Sequence, residues 1–161
     1  MQVDPVIQQT TDFDWFGVDE EGLLGYFTTA GFKLLPRSVA GSAEDLNLVT
    51  DYFKMHADVL GSHRVDDENL KNALNREWKG EHKETRYLRD FISMADKGLF
   101  SYDIGSHLNP GISYFRVASP QIPLTLEDLP EHIRQIVSRT ILKGLRLKNE
   151  SHVPYEATVE F

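Results

Sequence analysis

Two β-prone runs joined by a short acidic turn lie near the start of this chain. The runs are Trp15-Phe16-Gly17-Val18 and Leu23-Leu24-Gly25-Tyr26-Phe27-Thr28, and Asp19-Glu20-Glu21-Gly22 separates them. Apolar and aromatic runs on either side of a turn that ends in Gly predict a β-hairpin, with Gly22 at positive φ. Gly17 and Gly25 predict bulges or the close approach of another backbone.

The charge of the first 32 residues is one-sided. They contain no Lys, Arg or His, and their carboxylates are Asp4, Asp12, Asp14, Asp19, Glu20 and Glu21. The whole chain has a formal net charge of -8, so this segment carries most of the imbalance. Aromatic residues lie among the acids: Phe13, Trp15, Phe16, Tyr26 and Phe27. An acidic surface with aromatic anchors is typical of a site for a basic partner.

The same pattern has a simpler interpretation, in which alternate aromatics face the core and the acids keep the turn soluble. Trp15 and Tyr26 would then form a cross-strand pair inside the sheet. The absence of nearby cations in the sequence favours the binding surface, because a solubilising surface normally mixes charges of both signs. The sequence leaves both interpretations open.

Helical periodicity predicts three longer helices. The first runs from about residue 43 to residue 60, with Ser42 as its N-cap and Gly61 as its stop. The second covers residues 83–97 and ends at Gly98. The third starts at Asp128, interpreted as an N-cap, and runs to about residue 143. A short helix over residues 69–78 has a weaker pattern.

Further strands are predicted after the second helix. Residues 99–104 and 112–118 are joined by a turn at Asn109-Pro110-Gly111, and residues 122–126 form a short edge piece. Residues 155–161 alternate apolar and polar side chains, which predicts a final half-buried strand. Strands and helices without regular βαβ alternation predict an α+β fold, a mainly antiparallel sheet with about three to four helices packed on one face.

Composition limits the organisation and location of the chain. Its 161 residues fit one domain, over residues 12–161, preceded by a flexible arm over residues 1–11. It has no Cys, so disulfides and thiolate metal sites are excluded. We see no secretory signal and no apolar run long enough for a membrane span, and we expect a cytoplasmic protein.

The sequence contains no decisive catalytic or metal-binding motif. The histidines are scattered and show no i, i+4 pair: His56, His63, His82, His107, His132 and His152. We therefore expect no metal and no cofactor. An enzyme remains an alternative if distant residues converge in space, with His56, His82, His107, Glu84 and Asp103 as candidates.

A basic stretch follows the last predicted helix start. Residues 132–149 contain no acid, and their cations are Arg134, Arg139, Lys143, Arg146 and Lys148. Cations late in a helix suit its dipole, and these could also face the N-terminal acids. A nucleic-acid patch is the other interpretation. It is weakened by the absence of interleaved aromatics and by a pI near 5.2, so we expect no nucleic-acid partner.

The hairpin sequence resembles a group of small bacterial proteins. The run Asp14-Trp15-Phe16-Gly17-Val18-Asp19-Glu20-Glu21-Gly22, continued by Tyr26-Phe27-Thr28-Thr29-Ala30-Gly31, is similar to the opening of small bacterial cytosolic proteins of unassigned function. In size and acidity the chain also resembles immunity proteins that neutralise secreted toxins. These resemblances imply a bacterial, non-catalytic, partner-binding protein and supply no catalytic residues.

We expect a protein that binds a basic protein partner through the N-terminal segment. Steering charge would come from Asp12, Asp14, Asp19, Glu20 and Glu21, and the apolar anchor from an exposed subset of Phe13, Trp15 and Phe16. A homodimer that buries the hairpin or the final strand against a second copy is the remaining alternative.

Overall fold

The computed structural model describes residues 1–105 and 112–159. The strands are β1 (Asp14–Asp19), β2 (Leu24–Thr28), β3 (His63–Val65), β4 (Phe100–Ile104), β5 (Ser113–Pro120), β6 (Ile141–Leu142) and β7 (His152–Pro154). The α-helices are α1 (Pro5–Gln8), α2 (Arg37–Ala40), α3 (Ala43–Asp51), α4 (Asp67–Ala73), α5 (Thr85–Asp96), α6 (Glu131–Val137) and α7 (Tyr155–Val159). A π-helical turn covers Tyr52–His56 and a 3-10 turn covers Leu126–Asp128.

One mixed sheet organises the fold. Its strand order is β3-β5-β4-β2-β1-β6, and β7 pairs with β5 as well. The β1–β2, β3–β5, β4–β5 and β5–β7 pairs are antiparallel, whereas β2–β4 and β1–β6 are parallel. The predicted α+β class is confirmed, and the sheet is mixed with antiparallel pairs in the majority.

The predicted hairpin is present as β1 and β2. Its register pairs Trp15 with Phe27 and Phe16 with Tyr26, so the predicted Trp15–Tyr26 pair is wrong. Gly22 has φ of 82° at the turn, as the sequence predicts. A Cβ on Gly25 would lie only 2.6 Å from the ring of Phe27, so the close approach here is that of an aromatic ring.

Side chains on the two faces of the sheet form two apolar cores. The first includes Phe16, with Phe53 from the π-helical turn, Phe91 from α5 and Ile133 from α6. The four longer helices, α3 to α6, contribute to this core, in line with the prediction. The second core contains Trp15 and is covered by the N-terminal segment, α2 and the C-terminal segment. The sheet is therefore buried on both faces.

Two predicted helices are shorter in the structure. The first begins as predicted, with Ser42 Oγ accepting a hydrogen bond from the Asp45 amide, but its α-helical part ends at Asp51. The third begins after Pro130 rather than at Asp128, because Asp128 closes a capping box with Thr125 around the 3-10 turn. It ends at Val137, and the chain then forms β6.

The predicted final strand is wrong. The chain pairs with β5 one segment earlier, as β7, and residues 155–159 form α7. Residues 122–126 form no strand, and only Thr125 makes a bridge, to Leu23. The predicted turn Asn109-Pro110-Gly111 lies outside the described residues.

The segment predicted as an arm contains α1. Pro5 begins this helix instead of breaking it, since Pro is tolerated in the first turn, and Asp4 caps it. The Val3 amide donates to the Ala40 carbonyl, and the buried Gln8 side chain bonds the Val3 carbonyl and the Leu35 amide. These bonds join residues 1–11 to the α2 region.

The buried carboxylate of Asp19 holds the hairpin turn. One oxygen accepts the Glu21 and Leu23 amides at 2.9 Å, and the other accepts the Leu147 amide at 2.8 Å. Asp19 is only 3% exposed. A charged acceptor with three buried or half-buried amide donors stabilises the fold, because its loss leaves those donors unpaired.

We therefore expect Asp19→Ala to lower the free energy of unfolding by about 3 kcal/mol. Urea denaturation followed by tryptophan fluorescence measures this change. Glu20→Ala is the matched control, because Glu20 is exposed and accepts one amide, that of Gly144. Equal stability losses in the two variants would contradict the structural role of Asp19.

Candidate functional site

The aromatic residues proposed as a partner's anchor lie in the core. Trp15 is 0% exposed, stacks on Phe27 with ring centroids 4.1 Å apart, and donates its indole N–H to the Tyr114 hydroxyl. Phe16 is 4% exposed and stacks on Phe53. Neither side chain can be covered by a partner without unfolding the sheet. Phe13 is half-buried.

The acidic residues of the same segment have separate environments. Asp19 is buried and binds three backbone amides, so it contributes no surface charge to a partner. Asp14 is half-buried, forms an ion pair with Lys54 at 2.6 Å and accepts the Tyr26 hydroxyl. Asp12, Glu20 and Glu21 are exposed. The structure therefore leaves three of the five proposed steering acids on the surface.

Part of the basic stretch packs against the acidic hairpin turn. The Glu20 carboxylate accepts the Gly144 amide at 2.8 Å, and the Glu20 amide bonds the Leu145 carbonyl. Lys143 and Arg146, both exposed, flank this contact in the sequence. Arg139 forms an ion pair with Asp45 instead, at 2.6 Å. The basic stretch therefore contacts Glu20 through its backbone, and no ion pair among the described residues joins Lys143 or Arg146 to the N-terminal acids.

Only two of the described candidate residues of the enzyme alternative come near each other. Glu84 forms two hydrogen bonds with the guanidinium of Arg76, which lies over the Tyr87 ring, and the Tyr87 hydroxyl donates to Asp103. His56 and His82 are exposed, and His107 lies outside the described residues. In the part of the chain that is described, no three His, Asp or Glu side chains are placed to hold a metal ion.

Asp103 is half-buried where two parallel strands end. Because β2 and β4 are neighbouring parallel strands, Thr28 and Asp103 lie side by side near the C-terminal ends of these strands. The Asp103 carboxylate accepts the Tyr87 hydroxyl at 2.7 Å, the Thr28 hydroxyl at 3.1 Å and the Ile104 amide. Burial raises the pKa of Asp103 although these three donors oppose the shift.

A surface pocket lies between two irregular segments on another side of the molecule. It has a volume of about 330 Å³, and its walls come from the end of the π-helical turn region and from residues 122–128. Its lining residues are Tyr52, Ala57, Asp58, Leu60, Lys97, Ile122, Pro123, Leu124 and Asp128. A volume of this size accommodates a side chain or a small ligand.

Four exposed apolar side chains belong to the two chain segments that form the walls of this pocket. Met55 is 76% exposed, Val59 67%, Ile122 53% and Leu60 38%. Leu60 and Ile122 line the pocket, and Met55 and Val59 belong to the same chain segment as its wall. Residues 57–62, called here the docking loop, connect the π-helical turn to β3. This loop packs closely against Ile122, because a Cβ built on Gly61 would lie only 3.0 Å from the Ile122 Cδ1 atom.

Lys97 lines the pocket and connects it to the π-helical turn. Its buried side chain donates to the Phe53 carbonyl at 2.5 Å and to the Lys54 carbonyl at 3.3 Å. These carbonyls belong to the π-helical turn, whose wider hydrogen-bond spacing is rare and often occurs at functional sites. Burial lowers the pKa of the Lys97 amine. Its charge is directed at the backbone carbonyls inside the molecule.

The pocket rim carries negative charge. Asp58 and Asp128 line it, and no Lys or Arg among the described residues forms an ion pair with either. The hairpin turn is next to this rim, because the Leu126 amide donates to the Gly22 carbonyl at 2.8 Å. Glu20 and Glu21 are exposed at that turn.

The sequence pattern does not reveal this pocket. Helical spacing extends a single helix from residue 43 to residue 60 and places Leu60 inside. The helix instead ends with the π-helical turn at His56, and Ala57 is extended, with φ of -70° and ψ of 135°. Residues 57–60 are therefore not helical, and the three- and four-residue spacing of apolar residues gives no warning of this early end.

Comparisons with known proteins find no relative. No protein-family model matches this chain, and no curated protein or solved structure is significantly similar to it. In the described ranges, no helix is long and apolar enough to cross a membrane.

The half-buried Asp103 carboxyl predicts a pH-dependent difference in stability. Its folded pKa is raised, so its stabilising contribution is fully present below its ordinary value of 3.8 and is lost as pH rises through the folded pKa. Asp103→Asn removes this titration. We expect the variant to gain stability relative to the natural protein as the pH rises from 3.8 through the folded pKa, measured as the difference in urea midpoints. A difference that does not change with pH would contradict this assignment.

Proposed function

We propose that this protein is a non-catalytic binding protein whose partner docks on the surface around the 330 Å³ pocket. The docking surface consists of the pocket and the exposed side chains of Met55, Val59, Leu60 and Ile122. The exposure of these four apolar residues on neighbouring segments is the observation that carries the proposal. Clustered apolar side chains on a surface with a polar rim are typical of protein interaction sites.

The partner that fits this surface is a basic protein segment. Asp58 and Asp128 at the rim carry negative charge without an ion-paired cation in the described part of the chain. Lys97, the only cation among the described residues that line the pocket, directs its charge away from the rim into backbone carbonyls. We expect the partner to insert one apolar side chain into the pocket and to place Lys or Arg beside it.

The N-terminal acids keep a smaller role in this proposal. Glu20 and Glu21 lie at the hairpin turn next to the pocket rim, and with Asp12 they supply long-range attraction for a basic partner. Trp15, Phe16 and Asp19 act through the core, and Asp14 is engaged with Lys54. The apolar anchoring therefore belongs to the docking surface rather than to the hairpin.

Neutralisation of a basic toxin is one function that such a surface could perform. This role, a bacterial source and a cytoplasmic location are proposed here from the resemblance in size and charge to immunity proteins. The proposal for the docking surface does not depend on them. It requires only a partner with the stated chemistry.

Selection from a display library of random 12-residue peptides against the purified protein tests this proposal. We expect enriched peptides to contain an aromatic or long aliphatic residue flanked by Lys or Arg. Ile122→Asp should weaken the binding of synthetic copies of these peptides at least about tenfold. Leu48→Asp is the matched control, because Leu48 is an exposed leucine, 45% accessible, on α3 outside the pocket.

Charge provides a second arm of the same experiment. Asp58→Asn should reduce the association rate of the enriched peptides and make it less sensitive to salt, because it removes an attractive charge from the rim. Acidic enriched peptides would contradict the proposal, as would binding that Ile122→Asp leaves unchanged. A dimer in light scattering that Ile122→Asp dissociates would assign the surface to a second copy of the chain instead.

A further inference from the structure

His63, the first residue of β3, lies between two carboxylates from different segments. Its Nδ1 is 2.7 Å from an oxygen of Asp96, at the end of α5, and its Nε2 is 2.8 Å from an oxygen of Glu81. Glu81 belongs to the turn over residues 80–84, in which the Lys83 and Glu84 amides donate to the Gly80 carbonyl. The His63 ring therefore joins an edge strand, a helix end and a turn.

The number of protons on the ring decides whether both contacts can exist. A neutral imidazole has one N–H and one lone pair, so it can donate to only one of the carboxylates. The imidazolium ion has two N–H groups and satisfies both of them. Burial opposes this charge, but hydrogen bonds and negative charge from Glu81 and Asp96 outweigh the burial and raise the pKa of His63.

The elements packed against His63 add no competing titratable group to this pair of contacts. On β5 the opposite residue is Pro120, followed by Ser119 and Ala118, none of which titrates. Lys97, which follows α5, bonds the Phe53 and Lys54 carbonyls, and Glu84 of the turn bonds Arg76. The other charged residues of β3, α5 and the turn are exposed: Arg64, His82, Lys83, Arg86, Arg89 and Asp90.

Asp96 also connects His63 to the docking loop. Its carboxylate bonds the His63 ring, and its backbone carbonyl accepts the Leu60 amide at 2.8 Å and the Gly61 amide at 3.2 Å. The Ser62 carbonyl accepts the Gln121 amide, which directly precedes Ile122 of the docking surface. His63 is therefore linked to both walls of the pocket: to Leu60 through Asp96, and to Ile122 through the bond between its neighbour Ser62 and Gln121.

We propose that His63 is a proton-operated clamp that ties the 80–84 turn to β3 and to the end of α5. When the ring loses its proton, one carboxylate faces a lone pair without a donor. Glu81 is the one released, because its side chain is 42% exposed against 27% for Asp96 and water replaces its partner more readily. Asp96 keeps the remaining N–H, so the turn detaches while the docking loop stays bound.

The clamp operates in a defined pH range. Because the folded pKa of His63 is raised, the clamp is closed below the ordinary histidine value of about 6.5 and opens as pH rises through the folded pKa. It goes beyond the proposed function and needs no partner. Its test therefore remains decisive whether or not the docking proposal fails.

NMR of the full chain tests the clamp. We expect the His63 Cε1 proton to titrate with a midpoint above 6.5, and the exchange protection of the Lys83 and Glu84 amides to fall about tenfold with the same midpoint. Protection is corrected for the intrinsic pH dependence of exchange. Glu81→Gln should abolish this fall, because an amide can donate to the neutral ring as well as accept from the charged one.

Glu77→Gln is the matched control, because Glu77 is an exposed glutamate in the same segment and makes no contact with His63. It should behave like the natural protein. Three results would overturn the clamp: a His63 midpoint at or below 6.5, turn protection that does not follow the His63 titration, or loss of protection in Glu81→Gln with the natural pH dependence.

Discussion

The carboxylate of Asp19 joins the first hairpin of the chain to its C-terminal segment. It accepts the amides of Glu21 and Leu23 within the turn and the amide of Leu147, more than 120 residues away. These bonds fix the turn beside the segment that follows β6, and β6 pairs with β1 on the same side. Removal of this buried carboxylate would lower the free energy of unfolding, because three amides would lose their acceptor. The position of the hairpin turn beside the pocket rim depends on it.

The same arrangement explains why the acidic segment is not a free face. The carboxylate of Asp19 is buried and bonded to backbone amides, and that of Asp14 is paired with Lys54 and Tyr26. What remains is a rim of negative charge beside an apolar pocket. In the proposed function, the apolar anchor therefore comes from a different part of the chain than the N-terminal sequence indicates.

Local sequence signals predicted local structure well and tertiary placement poorly. The hairpin, the Ser42 cap and the helix that ends at Gly98 follow from residue types within a few positions of each other. Gly98 has φ of 97°, as a left-handed helix stop requires. The sequence does not predict which face of the sheet each aromatic side chain of the hairpin occupies. A strand buried on both faces carries aromatics on both, so alternation could not say that Trp15 and Tyr26 point in opposite directions.

Failures of prediction arose where long-range contacts override local pattern. Residues 155–159 alternate like a strand, but β7 takes the pairing position on β5 and the segment becomes helical. Helical spacing does not reveal the docking surface, because the helix ends at His56 and the chain is extended from Ala57. The His63 contacts were missed because Glu81 and Asp96 are distant in sequence, and no i, i+4 spacing marks them.

The central claim is that the apolar side chains of the docking surface are open in the free protein and covered in the bound one. Hydroxyl-radical footprinting tests it through the methionines, because Met55 is 76% exposed and Met94, in the core, 2%. We predict fast oxidation of Met55 and slow oxidation of Met94 in the free protein. Addition of a selected basic peptide should protect Met55 and leave Met1, which is 89% exposed, reactive. A Met55 that reacts as slowly as Met94 in the free monomer, or stays fully reactive with the peptide bound, would contradict the account.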